Sequence, residues 1–172
     1  MLINNGIHPG EPDGIDACIQ LLDKLSKSDD ITTTLKNLVI CIIPVYNIDG
    51  ALNRNSTTRV NQDGPESYGF RGNARNFDLN RDFIKSETLN AQSFAQIFRT
   101  WDPDVFVDTH VSNGADYQYV MTLIPTQHNK LPLPLDNYLK QTMLPVLYQE
   151  MENVGFPMTP YVNEIKQIPD DG

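Results

Sequence analysis

The sequence is poor in features that mark several classes of protein. Its 172 residues include two cysteines, Cys18 and Cys41, too few for the disulfide framework of a small secreted domain. Both lie in apolar patterns, which favours buried thiols. No apolar run approaches the roughly 18 residues of a membrane-spanning helix, and no basic segment leads a long apolar stretch as in a signal peptide. We therefore expect no membrane partner.

Basic residues are also scarce. Lysine and arginine number 13 against 22 acidic residues, which gives a formal net charge of -9. A surface of this sign repels a phosphate backbone, so we expect no nucleic-acid partner. Hydrophobic residues make up 40% of the chain and charged residues 20%, proportions that are typical of a folded globular protein. The length suits one domain, and we predict that residues 1–172 form a single one.

The order of the periodic segments predicts an α/β fold. A short apolar run predicts a strand at Leu2–Asn4, and helical spacing of apolar residues predicts a helix from Pro12 to about Lys27. A continuous β-branched run predicts a strand at Leu38–Ile43 that is buried on both faces. Strand, helix and strand in this order form a βαβ unit, which indicates a mixed, largely parallel sheet flanked by helices.

The later elements follow the same alternation. We predict a polar loop at Ser26–Thr34, a helix at Ser86–Phe98 with Ser86 as its N-cap, a strand with a buried apolar centre at Asp104–His110, a strand at Tyr117–Leu123, and a helix from Asp136 to about Val154 that Pro145 should kink. The tail after Phe156 shows no clear pattern.

A long segment from Val45 to about Arg81 is rich in asparagine, glycine, aspartate and arginine and shows little periodicity. Segments of this kind are uncommon inside a compact domain unless they are functional. A solvated insertion is the alternative, but aromatic residues such as Tyr46 and Phe70 argue against it. We therefore expect this loop to carry binding residues.

Two candidate metal ligands lie on the turn that follows the first strand. In Asn5–Glu11, His8 and Glu11 are separated by a proline and a glycine, so the turn can aim one nitrogen and one carboxylate at a single point. A capping or surface pair is the alternative. A third ligand, His110, comes at the end of another strand, and open α/β sheets bind ligands at the carboxyl ends of their strands. Two histidines and one glutamate suit a catalytic zinc site with an open position.

The remaining polar candidates are His128 and the run Asp78-Leu79-Asn80-Arg81. His128 lies in a polar stretch, and we predict that it is a surface residue. The run is either a charged turn or a carboxylate clamp, because guanidinium binds a carboxylate through two parallel hydrogen bonds. Asn80 could add a neutral donor, and Asp78 could accept from the outer nitrogen of a ligating histidine.

Taken in order, these motifs resemble the zinc carboxypeptidases of the M14 family. The segments that carry the resemblance are His8-Pro9-Gly10-Glu11, Pro44-Val45-Tyr46-Asn47-Ile48-Asp49-Gly50, Arg71 nine residues ahead of Asn80, Asp78-Leu79-Asn80-Arg81, and Asp108-Thr109-His110. The resemblance spans residues 2–119. It implies a zinc carboxypeptidase-like catalytic domain that is truncated at the C-terminus.

The resemblance also implies a role for each residue. His8, Glu11 and His110 would bind Zn²⁺, and Asp78 would orient His8. Arg71 would polarise the scissile carbonyl and stabilise the oxyanion, although Arg59 and Arg75 lie in the same loop. Asn80 and Arg81 would hold the terminal carboxylate of a peptide or an acylated amino acid.

One part of the family pattern is missing. The general base of these enzymes is a glutamate on a late strand, whereas the glutamates after His110 are Glu150 and Glu152 on a predicted helix and Glu164 outside any strand-like pattern. Tyr148 and Tyr161 are poor matches for the tyrosine that closes over the substrate. We therefore expect the chain to be the N-terminal part of a catalytic domain whose base lies beyond Gly172, and the fragment itself to be inactive.

Three functions are left open. The first is a metallocarboxypeptidase that hydrolyses C-terminal peptide bonds with zinc-activated water. The second is a deacylase of N-acyl amino acids, in which Arg81 would still hold a carboxylate. The third is a pseudo-peptidase that binds zinc and carboxylate termini without cleaving them. The compartment is unknown, but the resemblance favours a secreted or periplasmic parent protein.

Overall fold

A computed structural model describes residues 1–27, 33, 35–58, 64–113 and 117–161. They form two compact units, the first from Met1 to Val111 and the second beginning at Ser112. Most of the predicted loop at Ser26–Thr34, and the residues Arg59 and Glu164, lie outside the described residues. The single catalytic domain proposed for 1–172 stays a prediction.

The first unit contains a parallel three-stranded sheet. Its strands are β1 (Leu2–Asn4), β2 (Cys41–Ile43) and β3 (Phe106–Asp108), in the order β2-β1-β3. Both pairings are parallel, with Leu2 opposite Cys41 on one side and opposite Phe106 on the other. With helices α1 (Asp13–Lys27) and α3 (Leu89–Trp101), this confirms the predicted α/β class.

The burial of these strands differs from the prediction. Leu2 and Asn4 of β1 are completely buried, since β1 is the central strand. The strand predicted at Leu38–Ile43 is shortened to β2, and its three residues are half-buried rather than buried on both faces. In β3, Phe106 and Val107 are 38% and 37% exposed, so the prediction of a buried apolar centre was wrong. Both errors have one cause, because in the described sheet β2 and β3 are edge strands.

The two helices contact different sides of the sheet. Helix α1 approaches the strand ends through Gly14, where a Cβ atom would lie 2.0 Å from Thr109 Oγ1. Helix α3 packs through Phe94 on Phe106, with ring centroids 5.6 Å apart. Since successive side chains of a strand point to opposite faces, Phe106 and Thr109 belong to opposite faces, and each helix covers one of them.

The long loop is folded onto the strand ends. It contains a short helix α2 (Ile48–Leu52) and a 3-10 turn at Leu79–Arg81. Asn47 is completely buried, and its side chain accepts from the Gly50 amide at 3.0 Å and donates to the Arg71 carbonyl at 3.0 Å. The Asn47 backbone amide donates to the Gly6 carbonyl at 3.1 Å, which fixes the middle of the loop beside the first turn of the chain.

Helix α3 begins later than predicted. Its N-cap is Thr88, whose side chain accepts from the Ala91 amide, while Ser86 has a φ of 52° and does not cap. Buried Asp82 accepts three hydrogen bonds, from the Glu87 and Thr88 amides and from Thr88 Oγ1 at 2.6 Å. Burial alone would raise the pKa of Asp82, but these hydrogen bonds outweigh it and lower the pKa. The turn before α3 is therefore organised around a buried carboxylate.

The second unit is a small parallel sheet with a broken helix. Strands β4 (Met121–Leu123) and β5 (Met158–Pro160) pair in parallel, although no pattern predicted β5. The helix predicted at Asp136–Val154 begins earlier and is divided into α4 (Leu133–Tyr138), a π-helical turn (Leu139–Met143) and α5 (Leu144–Asn153). The break lies just before Pro145, where an interruption was predicted.

Two further predictions concern side-chain burial and membranes. Both cysteines are free; Cys18 is buried as predicted, and Cys41 is half-buried. Among the described residues, no helix has the length and apolar character needed to cross a bilayer.

We predict that Asp82→Asn lowers the free energy of unfolding by about 1–3 kcal/mol, because hydrogen bonds to a charged acceptor are replaced by weaker ones. A lowered native pKa means that this contribution is present above the ordinary value of 3.8 and is lost as the pH falls through the native value. Urea unfolding from neutral to acidic pH should show that the difference in the free energy of unfolding between variant and wild type becomes smaller in acid. Glu87→Gln, an exposed neighbour, is the control, and a gap that does not depend on pH would contradict the prediction.

We also predict that Gly14→Ala destabilises the protein, although the same change in an ordinary helix stabilises it by about 1 kcal/mol. The new Cβ would meet Thr109 Oγ1 at 2.0 Å and Thr109 Cβ at 2.5 Å, which forces α1 away from the strand ends. Thermal unfolding checks the sign. Ala17→Gly, at an exposed position of α1, measures the intrinsic cost of glycine in this helix. A gain in stability from Gly14→Ala would show that helix α1 is not in tight contact with Thr109.

Candidate metal centre

The three predicted ligands meet at the carboxyl ends of two neighbouring strands. His8 and Glu11 lie on the turn after β1, and His110 follows β3 by two residues. The turn starts at Gly6, whose φ of +63° is one that glycine adopts without strain. The Glu11 amide donates to the His8 carbonyl at 2.9 Å, which closes the turn and brings the two side chains together.

The ligand atoms form a compact cluster. His8 Nδ1 lies 3.2 Å from Glu11 Oε1, and His110 Nδ1 lies 3.3 Å from Glu11 Oε2. The two nitrogens and a carboxylate oxygen are all within 4.8 Å of one another. His8 and Glu11 side chains are 3% exposed, while that of His110 is 34% exposed. The cluster is therefore closed at the sheet and open on the side of His110.

Each histidine is held by an aspartate on its outer nitrogen. His8 Nε2 is 3.1 Å from Asp78 Oδ1, and His110 Nε2 is 3.0 Å from Asp108 Oδ2. The sequence analysis anticipated Asp78 but missed Asp108. The Asp-x-His spacing could have indicated it, because residues i and i+2 of a strand share a face.

Asp78 is itself fixed by the long loop. Arg71 places Nε and Nη2 each 2.9 Å from Asp78 Oδ2, and the Asn80 amide donates to Asp78 Oδ1 at 3.0 Å. Arg71 Nη1 lies 3.5 Å from His8 Nδ1. The structure thus brings Arg71 to the edge of the ligand cluster, whereas Arg75 is exposed.

The other predicted site residues lie farther out. Asn80 belongs to the 3-10 turn, and Arg81 is exposed, with its guanidinium donating to the Asn80 carbonyl at 3.0 Å. Their role in binding a carboxylate stays a prediction. In the second unit, His128 is 53% exposed and pairs with Asp136 at 3.3 Å, which confirms that it is a surface residue.

The cluster perturbs the pKa of two of its members. Burial alone would raise the pKa of Glu11, but hydrogen bonds from His110, His8 and the Val111 amide outweigh it and hold the pKa far below its ordinary range. Burial would lower the pKa of His110, but the carboxylates of Asp108 and Glu11 raise it to about 9. The carboxylates around His110 thus favour the protonated form of its imidazole.

The donor set fits a zinc ion. Two imidazole nitrogens and one carboxylate oxygen are the ligands of one common type of catalytic zinc site. A neutral imidazole that donates from Nε2 to an aspartate leaves the lone pair of Nδ1 free. Both Nδ1 atoms face Glu11, so the three donors converge. The open side at His110 leaves room for a further ligand.

Comparison with known proteins agrees with this geometry. The model of a protein family described as zinc carboxypeptidase matches residues 1–138. Probable carboxypeptidase 2 of Trichophyton verrucosum (strain HKI 0517) and carboxypeptidase 2 of Trichophyton tonsurans are each 28% identical to the chain over 109 residues. Probable carboxypeptidase 2 of Arthroderma benhamiae is 27% identical over the same length. These alignments cover 63% of this chain and 18% of each relative, so the chain spans less than a fifth of the curated relatives.

We predict that the purified chain retains about one zinc ion after dialysis, and that His110→Ala loses it because one of three donors is removed. Elemental analysis of both proteins, with circular dichroism to show that both are folded, is the measurement. His128→Ala is the matched control, since His128 is exposed in the second unit. Equal zinc in wild type and His110→Ala would show that the metal is held elsewhere.

Proposed function

The chain belongs to the zinc carboxypeptidase family, and we propose that it forms the metal-binding part of an enzyme that hydrolyses C-terminal peptide bonds. The observation that carries the proposal is the convergence of His8, Glu11 and His110, with ligand atoms within 4.8 Å of one another. A surface pair between His8 and Glu11 would not explain why a third donor, from the segment that follows β3, joins them. A peptide with a free carboxylate is the proposed substrate.

The roles of the ligands follow from their environment. His8, Glu11 and His110 would hold the zinc ion. When bound, zinc lowers the pKa of a coordinated water and polarises a carbonyl group. Because the His110 side chain is 34% exposed, water and substrate can reach the cluster from that side. His8 and Glu11 are shielded from solvent, so their donor atoms need little rearrangement.

Arg71 is proposed to stabilise negative charge on the oxygen of the attacked carbonyl. Its guanidinium lies at the border of the cluster, with Nη1 3.5 Å from His8 Nδ1. The ion pair with Asp78 fixes it there through two nitrogens. A donor that is held in place before the reaction costs no reorganisation when charge develops.

The terminal carboxylate is proposed to bind Asn80 and Arg81. Arg81 is exposed and is the last residue of the 3-10 turn that Asp78 caps. Its side chain can therefore move to a substrate without breaking the turn. A guanidinium and a neutral amide together can satisfy both oxygens of a carboxylate.

The general base is proposed to be a glutamate on a late strand, as the family resemblance implies. Glu150 and Glu152, which follow His110 in sequence, are exposed residues of helix α5. Neither has the strand position that the resemblance requires. The compartment also stays a prediction, with a secreted or periplasmic parent protein favoured by the resemblance.

We predict that the parent protein hydrolyses peptides with a free C-terminal carboxylate and spares the same peptides when they are amidated. Arg81→Ala should lower kcat/KM for free peptides about tenfold to hundredfold, because a charged hydrogen-bonded contact is lost. Arg99→Ala, an exposed arginine on α3, is the control. Steady-state kinetics on matched peptide pairs is the measurement.

Three other outcomes would overturn this proposal in favour of a different function. Equal cleavage of free and amidated peptides would remove the carboxylate from the recognition step. Cleavage of N-acyl amino acids without cleavage of peptides would indicate a deacylase. Binding of free peptides without turnover would indicate a pseudo-peptidase.

A further inference from the structure

We propose that Asp108 is a positioning residue for His110, and that buried Asn4 holds Asp108 in place for this task. The inference deepens the proposed function, since it rests on His110 being a metal ligand. It concerns a residue that does not itself touch the metal position. Asp108 would act by fixing which ring nitrogen of His110 carries the proton and where the ring points.

The two histidines of the cluster are held in the same way. His8 turns Nδ1 toward Glu11 and Nε2 toward Asp78, at 3.2 and 3.1 Å. His110 turns Nδ1 toward Glu11 and Nε2 toward Asp108, at 3.3 and 3.0 Å. An ionised aspartate can only accept hydrogen bonds, so it keeps a proton on Nε2 and leaves Nδ1 as the donor to a metal.

Asp108 is anchored by the central strand. It lies opposite Asn4 in the parallel register of β1 and β3, and Asn4 Nδ2 donates to Asp108 Oδ1 at 2.8 Å. One carboxylate oxygen thus binds Asn4 while the other faces His110. Asn4 is completely buried, so its amide cannot turn to solvent. The orientation of Asp108 is therefore set by the sheet.

The ring orientation of His110 depends more on such a hydrogen-bond partner than that of His8. Its side chain is 34% exposed, against 3% for His8, so packing restrains its ring less. Asp108 is 19% exposed, so it is the less exposed member of this pair. A ring that lost this contact could rotate and present either nitrogen to the cluster.

The competing explanation is a polar pair at a strand end that stabilises the fold and nothing more. The two explanations differ in what Asp108→Asn should change. A purely structural pair changes the free energy of unfolding and leaves the histidine tautomer as it was. A positioning residue changes the tautomer and the affinity for zinc in a chain that is still folded.

The first experiment measures zinc affinity by competition with a chromophoric chelator. We expect Asp108→Asn to bind zinc about tenfold to hundredfold more weakly than wild type, which is the usual effect of removing a hydrogen-bond partner of a metal-ligating histidine. Asp108→Glu keeps a carboxylate and should recover part of the loss. Asp104→Asn, exposed just before β3, is the control. Wild-type affinity in folded Asp108→Asn would overturn the inference.

The second experiment needs no metal. Nitrogen-15 NMR of the metal-free chain, at an alkaline pH at which the His110 imidazole is shown to be neutral, reports which ring nitrogen carries the proton. We expect Nε2–H for His110 in wild type and in Asp104→Asn, and a mixture of tautomers in Asp108→Asn. An unchanged Nε2–H signal in Asp108→Asn would overturn the inference. Absence of zinc binding by wild type would contradict the proposed function, while this measurement would still decide the role of Asp108.

Discussion

The parallel pairing of β1 with both of its neighbours is the constraint on which the rest of the first unit depends. It places Asn4 opposite Ile43 on one side and opposite Asp108 on the other, so three strand ends emerge at one edge. The turn after β1 then carries His8 and Glu11 toward the segment that carries His110. A shift of one residue between β1 and β3 would turn Asp108 to the other face of the sheet. The candidate metal centre is thus a consequence of strand register.

Buried asparagines maintain this arrangement. Asn4, Asn5 and Asn47 are completely buried, where an unpaired amide would be costly. Asn5 donates to the Ile43 carbonyl and accepts from Thr109 Oγ1 at 2.8 Å, and the Asn47 side chain joins the long loop to the first turn by donating to the Ile7 carbonyl at 3.4 Å. Asn4 holds Asp108 through Nδ2, while its Oδ1 has no hydrogen-bond partner among the described residues. At the strand ends, buried amides that join separate segments of the chain therefore take the place of apolar side chains.

The sequence predicted which side chains meet at the candidate centre better than it predicted their surroundings. His8, Glu11 and His110 were recognisable because a spaced motif survives any error in the bounds of its strand. Local patterns could not show that β2 and β3 are edge strands, because an apolar run looks the same at the centre and at the edge of a sheet.

The cap of α3 was misplaced for a similar reason. Ser86 and Thr88 are both good caps in isolation, and a buried carboxylate at Asp82, which accepts from Thr88 Oγ1 and two amides, selects between them. The spacing of Asp108 and His110 was visible in the sequence, but the contact that anchors Asp108 to Asn4 was not, because these two residues lie far apart in sequence.

The charges of the centre favour a cation among its carboxylates. With neutral imidazoles, the carboxylates of Glu11, Asp78 and Asp108 exceed the guanidinium of Arg71 by two negative charges. A divalent cation would balance this excess, and the same field favours a proton on His110, whose pKa is raised to about 9. Metal binding must therefore displace a proton, as is general for histidine ligands. The proton and the metal compete for the same nitrogen. Asp108, which helps to raise this pKa, also faces Nε2 of His110 and so favours the Nε2–H form from which Nδ1 could bind a metal.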